Sequence, residues 1–133
     1  MFARQVGIVT GAGTRQGIGR SAVLRFAQLG AHAVYACDLR TDHVAKLQEE
    51  VRQAGLKTEI IPYKMDVTSE EETLKLSQRT IKDFGRLDFL CANAGVVDMR
   101  NLWHATVEDY VRESPTSTCP DFDARVTRCA TSG

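Results

Sequence analysis

Four short runs of apolar and β-branched residues punctuate the chain: VGIVT at 6–10, AVYAC at 33–37, TEIIPY at 58–63 and DFLCA at 88–92. Each has the length of a strand, whereas the longer stretches between them repeat their apolar residues at helical spacing. After a glycine-rich stretch, Ile18, Ala22, Val23, Phe26 and Ala27 fall on one face, and Gly30 can take the left-handed conformation that ends a helix. Val44, Leu47, Val51 and Ala54 mark a second helix stopped by Gly55. A third starts where Ser69 and Glu72 have capping-box spacing, turns Leu74, Ile81 and Phe84 inward and stops at Gly85. Thr106, with Asp109 behind it, marks a fourth start.

Strands alternating with helices imply a parallel sheet with helices on its faces. One domain is expected over residues 1–112. From Glu113 the run ESPTSTCPDFDARVTRCATSG, with Pro115 and Pro120, holds neither period, so 113–133 is expected to be an irregular or disordered tail. There are no internal repeats.

Composition narrows the function classes. The chain has 133 residues, 43% hydrophobic and 26% charged, with 17 basic against 17 acidic side chains. That is the profile of a globular protein, and bulk charge argues against nucleic acid or a membrane surface as partner. No run approaches the ~20 apolar residues that span a bilayer. MFARQVGIVT enters an apolar run without a leader pattern, so a cytoplasmic location is expected. Cys37 and Cys91 lie in apolar runs and read as small core residues, while Cys119 and Cys129 lie in the polar tail. No pair has the spacing of a metal site, and none is expected. His32, His43 and His104 have no evident serine or carboxylate partner and read as surface or packing residues.

The chemistry-bearing stretch is TGAGTRQGIG at 10–19, between an expected strand and an expected helix. Glycines there let the backbone approach a bulky anion, and the helix that follows offers its first amides and the positive end of its dipole. Asp38 closes the second strand 19 residues after Gly19, where a carboxylate can accept hydrogen bonds from ribose hydroxyls. A nucleoside-triphosphate loop would need Gly-Lys-Ser/Thr, but Arg20 and Ser21 follow Gly19. The pattern therefore points to a dinucleotide.

TGAGTRQGIG, then DLR at 38–40, DVT at 66–68 and CANAG at 91–95 resemble, in order and spacing, the motifs of the short-chain dehydrogenase/reductase family over roughly residues 4 to 110. The resemblance implies a Rossmann-type α/β fold, with about four strands of an incomplete doubly wound sheet. It also implies that Gly13, Gly17, Ile18 and Gly19 line a pyrophosphate, with Gly11 in the same turn. Asp38 and Leu39 would hold the adenosine ribose, and Asp66 and Val67 would flank adenine. Asn93, Ala94 and Gly95 would carry the backbone past the cofactor and brace the central strand. The family shows T-G-x-x-x-G-x-G, whereas five residues separate Gly11 from Gly17 here. Either the strand ends two residues late or Arg15 and Gln16 bulge outward. Asp38 would repel a 2′-phosphate, so NAD is the expected cofactor, with NADP kept open by Arg15 and Arg40.

In this family hydride transfer is implied to use a serine, a Tyr-x-x-x-Lys pair and an upstream asparagine, the lysine and cofactor lowering the tyrosine's pKa. Leu39, Val67 and Ser114 stand four residues after Tyr35, Tyr63 and Tyr110, and Lys82 is the last lysine. No catalytic residue is assigned. The expectation is an NAD(P)-binding, oxidoreductase-like chain that is inactive as it stands, departing from its parental frame after Tyr110 as a splice variant or imperfect gene model would. A small-molecule substrate and the family's oligomer contacts would then belong to a full-length parent. The alternatives are a catalytically silent nucleotide-binding module or sensor, and an unstable product with an exposed fourth-strand flank.

Overall fold

The first apolar run forms β1 (Val6–Thr10), buried along all five residues because helices cover both of its faces. The computed structural model of the chain describes residues 3–95 together with 107 and 108. After β1 come α1 (Ile18–Gln28), β2 (Ala33–Asp38), α2 (Val44–Gln53), β3 (Glu59–Lys64), α3 (Glu70–Phe84) and β4 (Phe89–Cys91). The strands form one parallel sheet in the order β3-β2-β1-β4. Pro62 cannot donate to a ladder, and β3 lies at the edge of the sheet, where that loss is tolerated.

Two cores lie on opposite faces. Val9, Val34, Ala36 and Ile60 pack under Val23 and Ala27 of α1 and Val44, Leu47 and Val51 of α2. Ile8, Tyr35, Cys37 and Met65 pack under Leu76 of α3 on the other. The chain therefore changes face as it passes from β3 back across β1 to β4. In an open parallel sheet the crevice at such a switch, outside the carboxyl ends of the strands, is where ligands bind.

Three sequence expectations shift. Ile18 is 79% exposed, because it is the first residue of α1 and precedes the turn that packs on the sheet. Ala54 caps α2 and is exposed, leaving Val44, Leu47 and Val51 as the buried face. In α3, Leu74 is 43% exposed, and the buried stripe is Thr73, Leu76, Ser77 and Thr80. Each hydroxyl in that stripe donates to a carbonyl one turn back: Thr73 to Ser69, Ser77 to Thr73 and Thr80 to Leu76, at 2.9 to 3.0 Å. Residues that read as polar thus enter the core with their hydrogen bonds already made.

Val107 and Glu108 are helical, which agrees with a fourth helix, while its expected cap at Thr106 and the expected tail at 113–133 lie outside the described residues. Among the described residues no helix is long and apolar enough to cross a membrane.

Candidate functional site

β1 ends at Thr10, so the strand does not run late into the glycine stretch. Ala12 continues alongside β2, its amide donating to the Cys37 carbonyl at 3.1 Å. Thr14, Arg15, Gln16 and Gly17 are all exposed, so the two additional residues are accommodated as an outward bulge before α1 begins. Gly17 precedes α1 with no side-chain cap, and the first turn of the helix holds no acidic residue. Among the described residues those first-turn amides have no capping side chain, and they lie at the positive end of the helix dipole, which is the arrangement an anion completes.

The backbones converge closely here. A Cβ on Gly19 would lie 2.3 Å from the Gly11 carbonyl oxygen and 2.7 Å from Asn93 Nδ2, so α1 approaches the turn only because residue 19 has no side chain. Gly11 has φ of 71°, and its α-carbon faces the backbone of Ala94.

Asn93 ties the end of β4 to that turn. Its Nδ2 donates to the carbonyls of Thr10 at 3.2 Å and Gly11 at 3.4 Å. The amides of Asn93 and Ala94 both donate to Thr10 Oγ1, each at 3.0 Å. Thr10 is 2% exposed and acts as the bolt between β1 and β4. Its role was missed in the sequence, although the threonine immediately before the first glycine was the available signal. Gly95 follows, exposed.

Asp38 ends β2 with both carboxylate oxygens directed by backbone amides: Gly13 donates to Oδ2 at 2.9 Å and Leu39 donates to Oδ1 at 2.7 Å. A Cβ on Gly13 would meet the Arg40 carbonyl oxygen at 1.9 Å. The structure therefore places Gly13 against the segment that ends β2, its amide taken by Asp38. Leu39 is 58% exposed and, with Ile18, presents apolar surface beside the polar groups. Arg40 Nε pairs with Asp42 at 3.1 Å, whereas Arg15 lies exposed on the bulge.

Asp66 lies beyond β3, next to Asp38 because β2 and β3 pair Asp38 with Lys64. Asp66 Oδ1 accepts from Thr68 N at 2.9 Å and Thr68 Oγ1 at 2.7 Å, and these bonds hold its carboxyl below the usual carboxylate range. Val67, half-buried, packs against the α3-side core. Ser69 caps α3 by accepting from the Glu72 amide at 3.3 Å, but the Glu72 carboxylate does not return to Ser69. It accepts from the Asp66 amide at 2.6 Å instead, a difference from the expected capping box.

The structure thus brings Gly11, Gly13, Gly17, Ile18, Gly19, Asp38, Leu39, Asp66, Val67, Asn93, Ala94 and Gly95 to one edge of the sheet. A dinucleotide fits the residues present: uncapped helix amides for a diphosphate, an oriented carboxylate for a ribose diol and exposed apolar side chains for a base.

The tyrosines lie elsewhere. Tyr35 is fully buried on the α3 side and donates to Asp83 Oδ2 at 2.8 Å. Burial, with the adjacent Asp83 acceptor, pushes its hydroxyl up to about 12. Tyr63 meets the Tyr35 ring edge-on at 6.1 Å between centroids. Burial likewise raises the Cys37 thiol, which leaves it unreactive.

Comparison with known proteins gives a consistent picture. The sequence profile of the short chain dehydrogenase family matches residues 5–118. A short-chain dehydrogenase/reductase of Pestalotiopsis microspora is 32% identical over 118 residues, covering 89% of this chain and 43% of that protein. The 3beta-hydroxysteroid dehydrogenase 2 of Eggerthella lenta is 33% identical over 98 residues, 74% of this chain and 36% of that protein. The crystal structure of a short chain dehydrogenase/reductase from Burkholderia phymatum in complex with NAD superposes with a TM-score of 0.81 at 25% identity, over 97% of this chain and 44% of that one. The chain spans less than half the length of each of these three proteins.

Proposed function

The chain belongs to the short-chain dehydrogenase/reductase family, and on that premise we propose that the cleft at the carboxyl edge of its sheet binds NAD, for an oxidoreductase acting on an alcohol or carbonyl compound. The observation that carries the reading is the Asp38 carboxylate, held by the Gly13 and Leu39 amides beside the open N-terminus of α1.

The first-turn amides of α1 hold the diphosphate, and Ile18 and Leu39 cover apolar parts of the ligand. Asp38 accepts from the ribose hydroxyls. A 2′-phosphate would set its charge against that carboxylate, and the nearby cation, Arg40, already has Asp42 as partner. NAD is therefore preferred over NADP. When bound, NAD supplies the hydride-accepting nicotinamide.

We place the substrate and hydride transfer with the activity of the whole protein, and cofactor binding with the described residues. A second reading, a nucleotide-binding module without hydride chemistry, is favoured by one observation. Tyr35, buried and bonded to Asp83, cannot exchange a proton with a substrate.

The test is a fluorescence titration of the purified chain with NADH. Saturable binding, reversed by NAD and by ADP-ribose, is expected. An unsaturable response that neither competitor reverses would sink both readings.

A further inference from the structure

We propose that Glu72 is a positioning residue for base selection: from the first turn of α3 it fixes Asp66 so that the cleft favours a purine carrying a 6-amino group. This rests on the reading of the cleft as a dinucleotide site and deepens it.

The geometry around Asp66 is closed on three sides before any ligand arrives. Its amide donates to Glu72 Oε2 at 2.6 Å, and its carbonyl accepts from the Ser69 amide at 3.0 Å. Its Oδ1 receives both the amide and the hydroxyl of Thr68. Backbone donor, backbone acceptor and one carboxylate oxygen are therefore all engaged, and among the described residues Oδ2 receives no hydrogen bond. An ionised carboxylate accepts and cannot donate, so it selects a ligand that offers an N–H. Adenine presents such a group at its 6-position; hypoxanthine presents a carbonyl there, which the carboxylate repels.

Glu72 matters because an α3 residue reaches back across six positions to hold the segment between β3 and the helix. Ser69 alone caps α3 through the Glu72 amide, which any residue at position 72 retains. Removing the Glu72 carboxylate therefore loosens Asp66 while keeping the helix cap. The acidic first turn of Glu70, Glu71 and Glu72 also suits the α3 dipole, so charge and position must be separated by the choice of variant.

The experiment compares binding of NADH with that of its hypoxanthine analogue for the full chain and for Glu72→Ala, Glu72→Gln and Thr68→Val, each first checked by thermal melting. The chain should bind NADH about ten- to hundredfold more tightly than the analogue, the size expected for one hydrogen bond to a charged group. Glu72→Ala should bring that ratio close to one. Glu72→Gln, which keeps a carbonyl acceptor without the charge, should retain it. Thr68→Val should narrow the ratio from the other side of the carboxylate and serves if Glu72→Ala does not fold. A wild-type ratio of one, or a ratio unchanged in both Glu72→Ala and Thr68→Val, overturns the role of Glu72 and leaves the dinucleotide reading standing. Failure of the chain to bind either dinucleotide instead removes the dinucleotide reading and this inference with it.

Discussion

The backbone amide of Gly13 donates to Asp38 Oδ2 across 25 positions of sequence, and a side chain at residue 13 would strike the Arg40 carbonyl. The turn after β1 and the carboxylate at the end of β2 therefore form one unit. Gly13→Ala forces the 38–40 segment away and breaks a charge-assisted bond of about 1.5–3 kcal/mol. NADH affinity is expected to fall about tenfold or more while NADPH affinity changes less. An equal loss for both, in parallel fluorescence titrations, would mean that the contact serves only the fold.

The Phe89 ring lies over Gly7 and stacks on Phe26 with centroids 4.2 Å apart. A Cβ at position 7 would come within 2.1 Å of that ring. Gly7→Ala should destabilise the chain by about 1–3 kcal/mol, the usual penalty of overpacking. Adding Phe89→Val should recover part of the loss in a denaturant melt, whereas simple additivity would show that the ring and the glycine are not coupled.

Two buried threonines separate a needed hydroxyl from a dispensable one. Thr58 Oγ1 donates to the Ala31 carbonyl at 2.6 Å and the Ala27 carbonyl at 3.3 Å, tying the end of α1 to the start of β3. Thr58→Val leaves a buried acceptor short and should cost about 1–3 kcal/mol. Thr80 donates to a carbonyl of its own helix, so Thr80→Val should change stability by less than about 0.5 kcal/mol or increase it slightly. Equal costs would contradict the distinction.

Tyr35 gives the alkaline limb of stability a defined origin. Burial and Asp83 raise its hydroxyl to about 12, against about 10 in an unfolded chain. Below the unfolded value both states hold the proton, and the contribution is complete. As pH rises from there through the folded value, only the unfolded state has lost its proton, so stability falls. Tyr35→Phe should remove that part of the decline and the latest-titrating phenolate band from the absorbance spectrum. Persistence of the late band would place the shifted group elsewhere.

The parallel sheet was legible because its strands announce themselves twice, as apolar runs and as intervals between helical periods. The strand ends agree closely: β1 is VGIVT to the residue, and β2 gains only Asp38. Leu74 misled because helical spacing alone does not say which stripe faces the sheet, and the true stripe hides its hydroxyls by bonding them to the preceding turn. In the site, residue types pointed to Asp38 and the glycines, yet the direction of each bond was not readable. Nothing in the spelling of SEEE tells that Glu72 reaches Asp66 rather than Ser69, since the choice depends on how the loop after β3 folds back. The Arg15–Gln16 insertion left two conformations open, and the fixed end of β1 at Thr10 selects the outward bulge.

The most direct test of the central claim is the ratio of NADH to NADPH dissociation constants, measured side by side for the chain and for Asp38→Ala. Tighter binding of NADH in the chain, with the gap closed or reversed by the substitution, is the expected result. Equal affinities in the starting protein, or a ratio indifferent to Asp38, would contradict it.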